Sequence, residues 1–488
     1  MLLSKLIRSN EDIIRYGADA DIRGLTADSR KVEPGFLFIA IPGTAHDGRA
    51  FIEEAIKRGA VAVLAPDGTA QPANASLLMA PDVRIAVGLI ASRFYPRQPE
   101  TIAAVTGTSG KTSTAQFTRE IWQHLGYASA SIGTLGLVTA TESSYGSLTT
   151  PDAITLHHLL DECASKGISH LAMEASSHGL FMHRLDQVHV KAGGFTNLSR
   201  DHLDFHETLE NYLAAKMRLF ADVLPHGGAA VLNADISEFE KLKQAAESRG
   251  LKLITYGHAA KELHLVESVP DSRGQVLHVS LFGKEHKILL PAIGAFQAWN
   301  ALCALGLAVG CGADVAKAAV ALEHVSGVPG RLQKIGTSAK GATVFIDYAH
   351  KPDAMDNVLR ALRPHVAAHK SAKLGVIFGC GGNRDKGKRP LMGGIAQRLA
   401  DWVIITDDNP RHEEPATIRQ EVLAGFTANG PQPTEIGDRA KAIAEGIDRL
   451  QPNDVLIIAG KGHEPGQIVG DTVLPFDDAD VARKVLGL

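Results

Sequence analysis

The stretch IAAVTGTSGKTSTAQFTREIWQHL, residues 102–125, decides the fold. Ile102 to Val105 is a short apolar run that reads as a buried strand, while Phe117, Ile121, Trp122 and Leu125 recur on one face of a helix. Between them lies the glycine-rich segment Thr106 to Thr112. In such a loop the backbone N–H groups point inward, and the helix N-terminus adds partial positive charge, so the segment suits a phosphate. Lys111 would reach the terminal phosphates and the Thr112 hydroxyl would bind Mg2+. The strict phosphate-loop pattern has glycine where this chain has Val105. The other reading is a turn with an incidental lysine. Strand, loop and helix in that order, with the Gly110-Lys111-Thr112 triplet, favour the phosphate loop.

Outward from this unit, strand-then-loop recurs at His170 to Glu174 and Ala192 to Asn197. Strands alternating with helices predict a mainly parallel sheet. Leu263 to Leu290 alternates in polarity across two turn signals and reads as an antiparallel edge addition. Upstream, Gly35 to Ile41 and Val61 to Ala65 read as strands of a small α/β unit, with Phe51 to Lys57 helical. Pro96 and Pro99 bracket a linker. Downstream of the joint Gly327 to Gly330, strands are predicted at Val344 to Asp347, Leu374 to Phe378, Trp402 to Thr406 and Val455 to Ala459. Each ends in a polar or glycine-rich loop, where open parallel sheets collect ligands.

Composition agrees with this division. The chain has 488 residues, and at about 150 residues per domain it holds roughly three. The fold class is α/β: three domains, 1–99, 100–332 and 333–488, each built on a sheet. Hydrophobic residues are 45% and charged residues 21%, ordinary globular usage. A net charge of −4 leaves no basic field for nucleic acid. Cys163, Cys303, Cys311 and Cys380 form no CxxC pair, which points to a reducing cytoplasm. The start MLLSKLIRSNEDIIRYG is broken by charge and is not read as a signal peptide. No run of about 18 apolar residues occurs, so no membrane span is expected.

Further residues carry chemistry. Glu174 ends a strand in LAMEASSHG, and a carboxylate beside a phosphate loop is a fitting oxygen ligand for Mg2+. Asp408-Asn409-Pro410-Arg411 follows another strand. Read alone, this segment is a capped turn. The segment GCGGNRDKGKRP has Gly379 and Gly381 of a dinucleotide fingerprint, but Arg384 stands at its third glycine, and NAD binding is rejected.

The loop TGTxGKT resembles that of the Mur ligase family, ATP-dependent enzymes that build the peptide of bacterial cell-wall precursors; the folylpolyglutamate synthases share it. The resemblance runs from position 26 to 464. It implies a small N-terminal uridine-nucleotide domain, a central phosphate-loop ATPase-like domain and a C-terminal Rossmann-like domain that rotates to close. It implies ATP contacts at Gly107, Thr108, Ser109, Gly110, Lys111, Thr112, Ser113, Asn300, Arg331, Asp347 and His350. Lys111, Glu174, His202 and Lys216 are the implied catalytic residues. Mg2+ ligands would be Thr112, Glu174, His202 and Lys216, the last as a CO2-derived carbamate (N6-carboxylysine). Lysine on a helix is ordinarily a solvated charge; as a carbamate it becomes an anionic oxygen ligand.

TTP at Thr149-Thr150-Pro151, ASSHG around Ser176, and TADSR at 26–30 resemble motifs of the family branch that adds the third residue. By that resemblance Ala27, Ser29, Thr44, Ala45, His46, Thr149, Thr150, Ser176, Met182 and Arg184 would bind UDP-N-acetylmuramoyl-L-alanyl-D-glutamate (UDP-MurNAc-L-Ala-D-Glu). Met182 stands where the family often has glutamine. DNPR and GKGHE match the meso-diaminopimelate-adding members. Arg384, Asp408, Asn409, Pro410, Arg411, Gly460 and Glu464 would bind that amine, with Glu464 and the Gly460 carbonyl taking its distal ammonium. The implied partners are UDP-MurNAc-L-Ala-D-Glu, ATP and meso-diaminopimelate, with no nucleic acid and no membrane, on a monomeric enzyme. The implied reaction passes through an acyl phosphate. The alternatives are a lysine-adding member and a folylpolyglutamate synthase-like ligase.

Overall fold

A computed structural model describes residues 1–43, 47–144, 148–271, 274–367 and 371–488. Thr44, Ala45, His46, and Ser272 and Arg273 of one expected turn lie outside the described residues. Three main sheets are present. By compactness the chain divides into two units: Met1–His264 with Ser280–Lys284 and Leu302–Ala321, and Leu265–Val279 with Glu285–Ala301 and Leu322–Leu488.

The first unit carries a five-stranded sheet in the order Ile14–Tyr16, Ser76–Ala80, Ala62–Pro66, Phe36–Ile39, Gly24–Thr26. All its pairs are parallel except the outermost, Ile14–Tyr16 against Ser76–Ala80. The same unit holds the parallel heart of an eleven-stranded sheet. Its order runs Lys252–Gly257, Ala229–Asn233, Val190–Phe195, Thr101–Thr106, His170–Glu174, Ser129–Gly133. Every residue of Thr101–Thr106 is buried, as a strand covered on both faces must be.

The two sheets of this unit keep separate apolar cores and meet through helices. The helix Val83–Phe94 packs on the helix Ala153–Ser165, and Ala153 joins the apolar cluster of the small sheet. The expected linker is clamped as well. Arg97 Nε and Nη2 donate to the two carboxylate oxygens of Asp161, at 3.1 and 2.8 Å. The expected edge addition is present as Leu263–Asp271, Gly274–Leu281 and Lys284–Leu290, neighbours in chain order at the edge of the sheet, and its first strand joins Lys252–Gly257 in parallel.

The loop after Thr101–Thr106 is shaped by two glycines. Gly110 caps the helix Lys111–His124 at φ 87, in the left-handed region that side chains resist. Gly107 has φ 143, and a Cβ there would sit 1.9 Å from Thr196 Oγ1.

The second unit is built on a six-stranded sheet. Its order is Gln333–Thr337, Thr343–Asp347, Val455–Ala459, Leu374–Phe378, Trp402–Ile405, Thr434–Glu435. Only the Gln333–Thr337 pair is antiparallel. Its strand ends are pinned by Arg439, which is buried with Asp478. Arg439 Nε and Nη2 each lie 2.7 Å from an Asp478 oxygen, and Nη2 also donates to the Ala459 carbonyl at 3.0 Å. The helix Asp478–Leu486 thereby holds down the end of the central strand.

Two outcomes follow from this packing. Asp478→Ala strands a buried guanidinium and should destabilise the protein by about 3–5 kcal/mol; a urea midpoint equal to wild type would contradict this. Gly107→Ala forces both strain and overlap, and should cost about 1–3 kcal/mol, read by scanning calorimetry as a lowered midpoint.

Candidate active site

In the first unit the glycine loop is held from a neighbouring strand end. Parallel register sets Phe195 beside Thr106, so the segment after Phe195 runs along the loop. Thr108 N donates to the Asn197 carbonyl and Ser109 N to Asn197 Oδ1, both at 2.9 Å. Thr196 Oγ1 donates to the Ser109 carbonyl at 2.6 Å, and Ser199 N to Thr108 Oγ1 at 3.0 Å. Thr196 and Ser199 were not anticipated, because it is strand order that brings them to the loop.

Two ammoniums converge on this loop. Lys111 Nζ donates to the carbonyls of Gly107 and Thr108 at 2.9 Å each. Lys216 Nζ donates to the same Gly107 carbonyl at 2.7 Å. Lys216 is only 1% exposed, and its Nζ lies 4.3 Å from the centre of the Tyr212 ring. The helix Leu209–Arg218 thus carries a buried lysine on its inner face. Thr112 and Ser113 are buried in the first turn of the loop's own helix. Positive charge, a helix N-terminus and inward backbone amides together suit a polyphosphate.

Glu174 and Thr112 line one small hollow with Gln116, Ser131 and Gly133. The Glu174 carboxylate accepts from Thr134 N at 2.8 Å and from Thr134 Oγ1 at 3.3 Å. A hydroxyl and a buried carboxylate are hard oxygen donors. Mg2+ takes few ligands from protein when phosphates and water complete its octahedron, so this pair fits it. His202 stands at φ 51, with Nε2 3.3 Å from Asp201 Oδ2, and its ring is 4.9 Å from that of His178. Its ring also lies 6.2 Å from that of Tyr212, the ring that Lys216 Nζ approaches. Burial pushes the neighbouring His206 down to about 4. Among the described residues no group of three His, Cys, Asp or Glu side chains could hold a metal without other ligands.

The TTP and ASSHG segments meet at the end of the Glu174 strand. Thr150 Oγ1 donates to the Glu174 carbonyl and accepts from Ser176 N, both at 2.9 Å. Arg184 Nη1 donates to the Thr150 carbonyl at 2.6 Å, and its Nη2 lies 3.2 Å from Met182 Sδ. Thr149 Oγ1 is 3.2 Å from Thr134 Oγ1. In the small sheet, Ser29 is buried with Oγ 3.2 Å from Glu54 Oε2, and Ala27 is exposed.

In the second unit the predicted residues gather at the carboxyl ends of the strands. Asp347 ends Thr343–Asp347, and its Oδ2 accepts from Leu332 N at 2.7 Å. Burial raises Asp347 to about 6, against the opposing charge of Arg331. The Arg331 guanidinium lies 4.7 Å from the Tyr348 ring centre. Burial lowers His350 to about 3, and its Nδ1 is 2.8 Å from the Tyr348 carbonyl. Asn300 Nδ2 donates to Gln297 Oε1 at 2.9 Å.

Asp408, Asn409 and Pro410 are buried, and Arg411 follows at φ 52. Arg411 Nη1 donates to the Gly382 carbonyl at 2.9 Å. A side chain at Gly381 would meet Arg411 Nη1 at 2.9 Å and Arg384 Cγ at 3.8 Å, so both arginines flank that glycine. Gly460 is needed at φ 113, where a Cβ would lie 2.6 Å from Asp408 Oδ2. Glu464 Oε2 accepts from Asn409 Nδ2 at 2.9 Å, and Oε1 from the Tyr348 hydroxyl at 3.3 Å. Two guanidiniums beside two carboxylates match a small zwitterion carrying more than one charge of each sign. Arg389, unanticipated, is fully buried and ties this loop to its neighbour: it bonds the Gly381 carbonyl at 3.0 Å and Glu413 Oε2 at 3.0 Å.

Family models match along the chain: "Mur ligase family, catalytic domain" at residues 21–95, "Mur ligase middle domain" at 105–308, and "Mur ligase, glutamate ligase domain" at 330–462. The UDP-N-acetylmuramoyl-L-alanyl-D-glutamate--2,6-diaminopimelate ligase of Bradyrhizobium diazoefficiens is 51% identical, covering 100% of this chain and 99% of the relative. The protein of that name from Agrobacterium fabrum is 49% identical over 96% of this chain and 93% of its own. A solved structure of a ligase with the same name superposes with a TM-score of 0.69 at 34% identity, covering 96% and 95% of the two chains. The MurF ligase of Thermotoga maritima, at 19% identity and a TM-score of 0.64 over 96% of this chain and 98% of its own, shares the fold. The chain belongs to the Mur ligase family.

Proposed function

We propose that this chain is an ATP-dependent amide ligase that joins the D-glutamate γ-carboxylate of UDP-MurNAc-L-Ala-D-Glu to an amine of meso-diaminopimelate. ADP and phosphate are the other products, and the setting is cytoplasmic assembly of the peptidoglycan precursor. The observation that carries this reading is the pairing of Arg411 and Arg384 around Gly381, beside Asp408 and Glu464. A carboxylate-bearing amine answers that charge pattern, and L-lysine, with one carboxylate fewer, leaves a guanidinium unmatched. The names of the relatives at about half identity support the same substrate pair.

The chemistry then divides among residues 1–99 for the uridine nucleotide, 100–332 for ATP and the dipeptide, and 333–488 for the amine. The loop amides from Gly107 to Ser113, with Lys111, hold the phosphates. Asn300, Arg331, Asp347 and His350 serve the rest of the nucleotide. Thr112, Glu174 and His202 would hold Mg2+, which neutralises charge on the transferring phosphoryl group when bound. The γ-carboxylate attacks the γ-phosphorus, an O–P bond forms, and the bond to ADP breaks. The amine, having lost a proton, then attacks the acyl carbon and phosphate leaves. Residues 149–150, 176, 182 and 184 position the acceptor, as do Ala27, Ser29 and 44–46. Much of the acceleration is positioning.

Lys216 has a further role in this reading. Its ammonium first loses a proton; the free amine then adds to CO2, forming an N–C bond and releasing a second proton, so an anionic oxygen ligand replaces a buried cation. The burial of Lys216 and its 2.7 Å approach to the phosphate loop support this.

An amine panel tests the main reading. Phosphate release should require both the nucleotide dipeptide and meso-diaminopimelate, and Arg411→Ala should lower kcat/KM for the amine about a hundredfold while the KM for ATP holds. Equal turnover with L-lysine would refute it. Lys216→Ala should lose activity and regain part of it with short carboxylic acids; full activity without them would rule out the carbamate.

A further inference from the structure

Lys461 is a buried lysine that the reaction above does not use. It lies between Gly460 and Gly462, is 0% exposed, and sits beneath the proposed amine pocket. Its Nζ lies 3.3 Å from Asn409 Oδ1 and 3.5 Å from Glu464 Oε2, and it also donates to the Gly466 carbonyl. A lysine pays heavily for complete burial unless its charge is answered, and here the answer is a carboxylate of the candidate site.

The arrangement fixes two other groups. Asn409 Oδ1 accepts from Ile468 N at 2.9 Å as well as from Lys461. With two donors aimed at one atom, that atom must be the amide oxygen. The Asn409 Nδ2 group is then turned toward Glu464 Oε2, where it donates at 2.9 Å. The Glu464 carboxylate is held at the same time by Lys461, Asn409 and the Tyr348 hydroxyl. The loop bearing Arg411 is drawn into the same construction, because Arg411 N donates to the Ile468 carbonyl at 3.0 Å and Gln467 Nε2 to the Asp408 carbonyl at 2.7 Å.

We infer that Lys461 is the positioning residue of the amine pocket: its ammonium sets the Asn409 amide and the Glu464 carboxylate in the one orientation that receives the substrate's ammonium. This rests on the amine-site reading above. Lys461 does not touch the substrate; it acts through its two neighbours. A mobile Glu464 would have to be ordered by each incoming amine, and that cost appears in amine affinity.

Lys461→Gln and Lys461→Met separate the charge from the bond to Gly466, since glutamine retains a donor and methionine neither charge nor donor. Steady-state kinetics of both, with melting temperatures, should show the KM for the amine raised about tenfold or more and the KM for ATP within about twofold of wild type. Asn409→Ala should raise the amine KM in the same way. The double variant Lys461→Gln/Asn409→Ala should be no worse than the poorer single one, because the two act as one unit. Three results overturn the inference: an unchanged amine KM in Lys461→Gln, multiplicative effects in the double variant, or joint loss of folding and of ATP use in both Lys461 variants, which assigns the residue to stability alone. Wild type is run beside them with meso-diaminopimelate and with L-lysine. If wild type prefers L-lysine, the substrate reading fails, and Lys461 is scored on the KM for lysine.

Discussion

Two lysine ammoniums meeting on the carbonyl of Gly107 set the terms for the rest of the first unit. Lys111 arrives from the start of the adjoining helix and Lys216 from a helix 109 residues away in sequence. For both to reach one backbone oxygen, the loop must pass against Thr196, and only a residue without Cβ fits. Like charges at close range repel, and burial sharpens the repulsion. Backbone carbonyls answer part of that charge, and the phosphates of a bound nucleotide would answer more. The parallel order of the sheet supplies the geometry, since it lays the strand ends at Thr106, Glu174 and Phe195 side by side.

Resemblance to relatives brought in Asp408, Arg411 and Glu464, whereas the βα unit at 101–124 and the strands of the last sheet were legible in the sequence itself. Their signals are local: an apolar run, a glycine, a charged triplet. Thr196 and Ser199 were illegible because their importance comes from strand order, which no local pattern records. Lys216 is an instructive middle case. On helix periodicity alone it would be a solvated charge, yet it is buried beside Tyr212, and only resemblance to relatives drew attention to it. The edge addition over Leu263–Leu290 was legible from alternating polarity between turn signals, whereas its parallel junction with Lys252–Gly257 carries no local signal. The clamp between Arg97 and Asp161 was equally hidden, since it joins segments 64 residues apart.

The second unit solves a different problem with the same materials. Its core is apolar and its central strands are buried, and a dense group of charges stands on the loops at the carboxyl ends. Arginines 384, 389 and 411 and carboxylates 408, 413 and 464 are interleaved there, so the net charge of the chain, −4, hides a dense local alternation. Buried ions of this kind are held by neighbours of opposite sign, and each hydrogen bond to a carbonyl also fixes a loop. Selectivity of this sort is costly to stability, and the buried Arg439–Asp478 pair beneath it anchors the strand ends on which the loops stand.

Glycine at position 381 lets two arginines approach one another over a bare stretch of backbone. That closeness gives natural variation a short address. A lineage that changes its amine need not touch the sheet, the phosphate loop or the nucleotide contacts; it has only to rewrite two neighbouring loops, 381–389 and 408–411. Such a rewrite would keep the energy-supplying half of the enzyme constant while the chemical composition of the cell wall drifts. These loops of the last sheet are therefore the place where organisms using different cross-linking amino acids should be expected to diverge first.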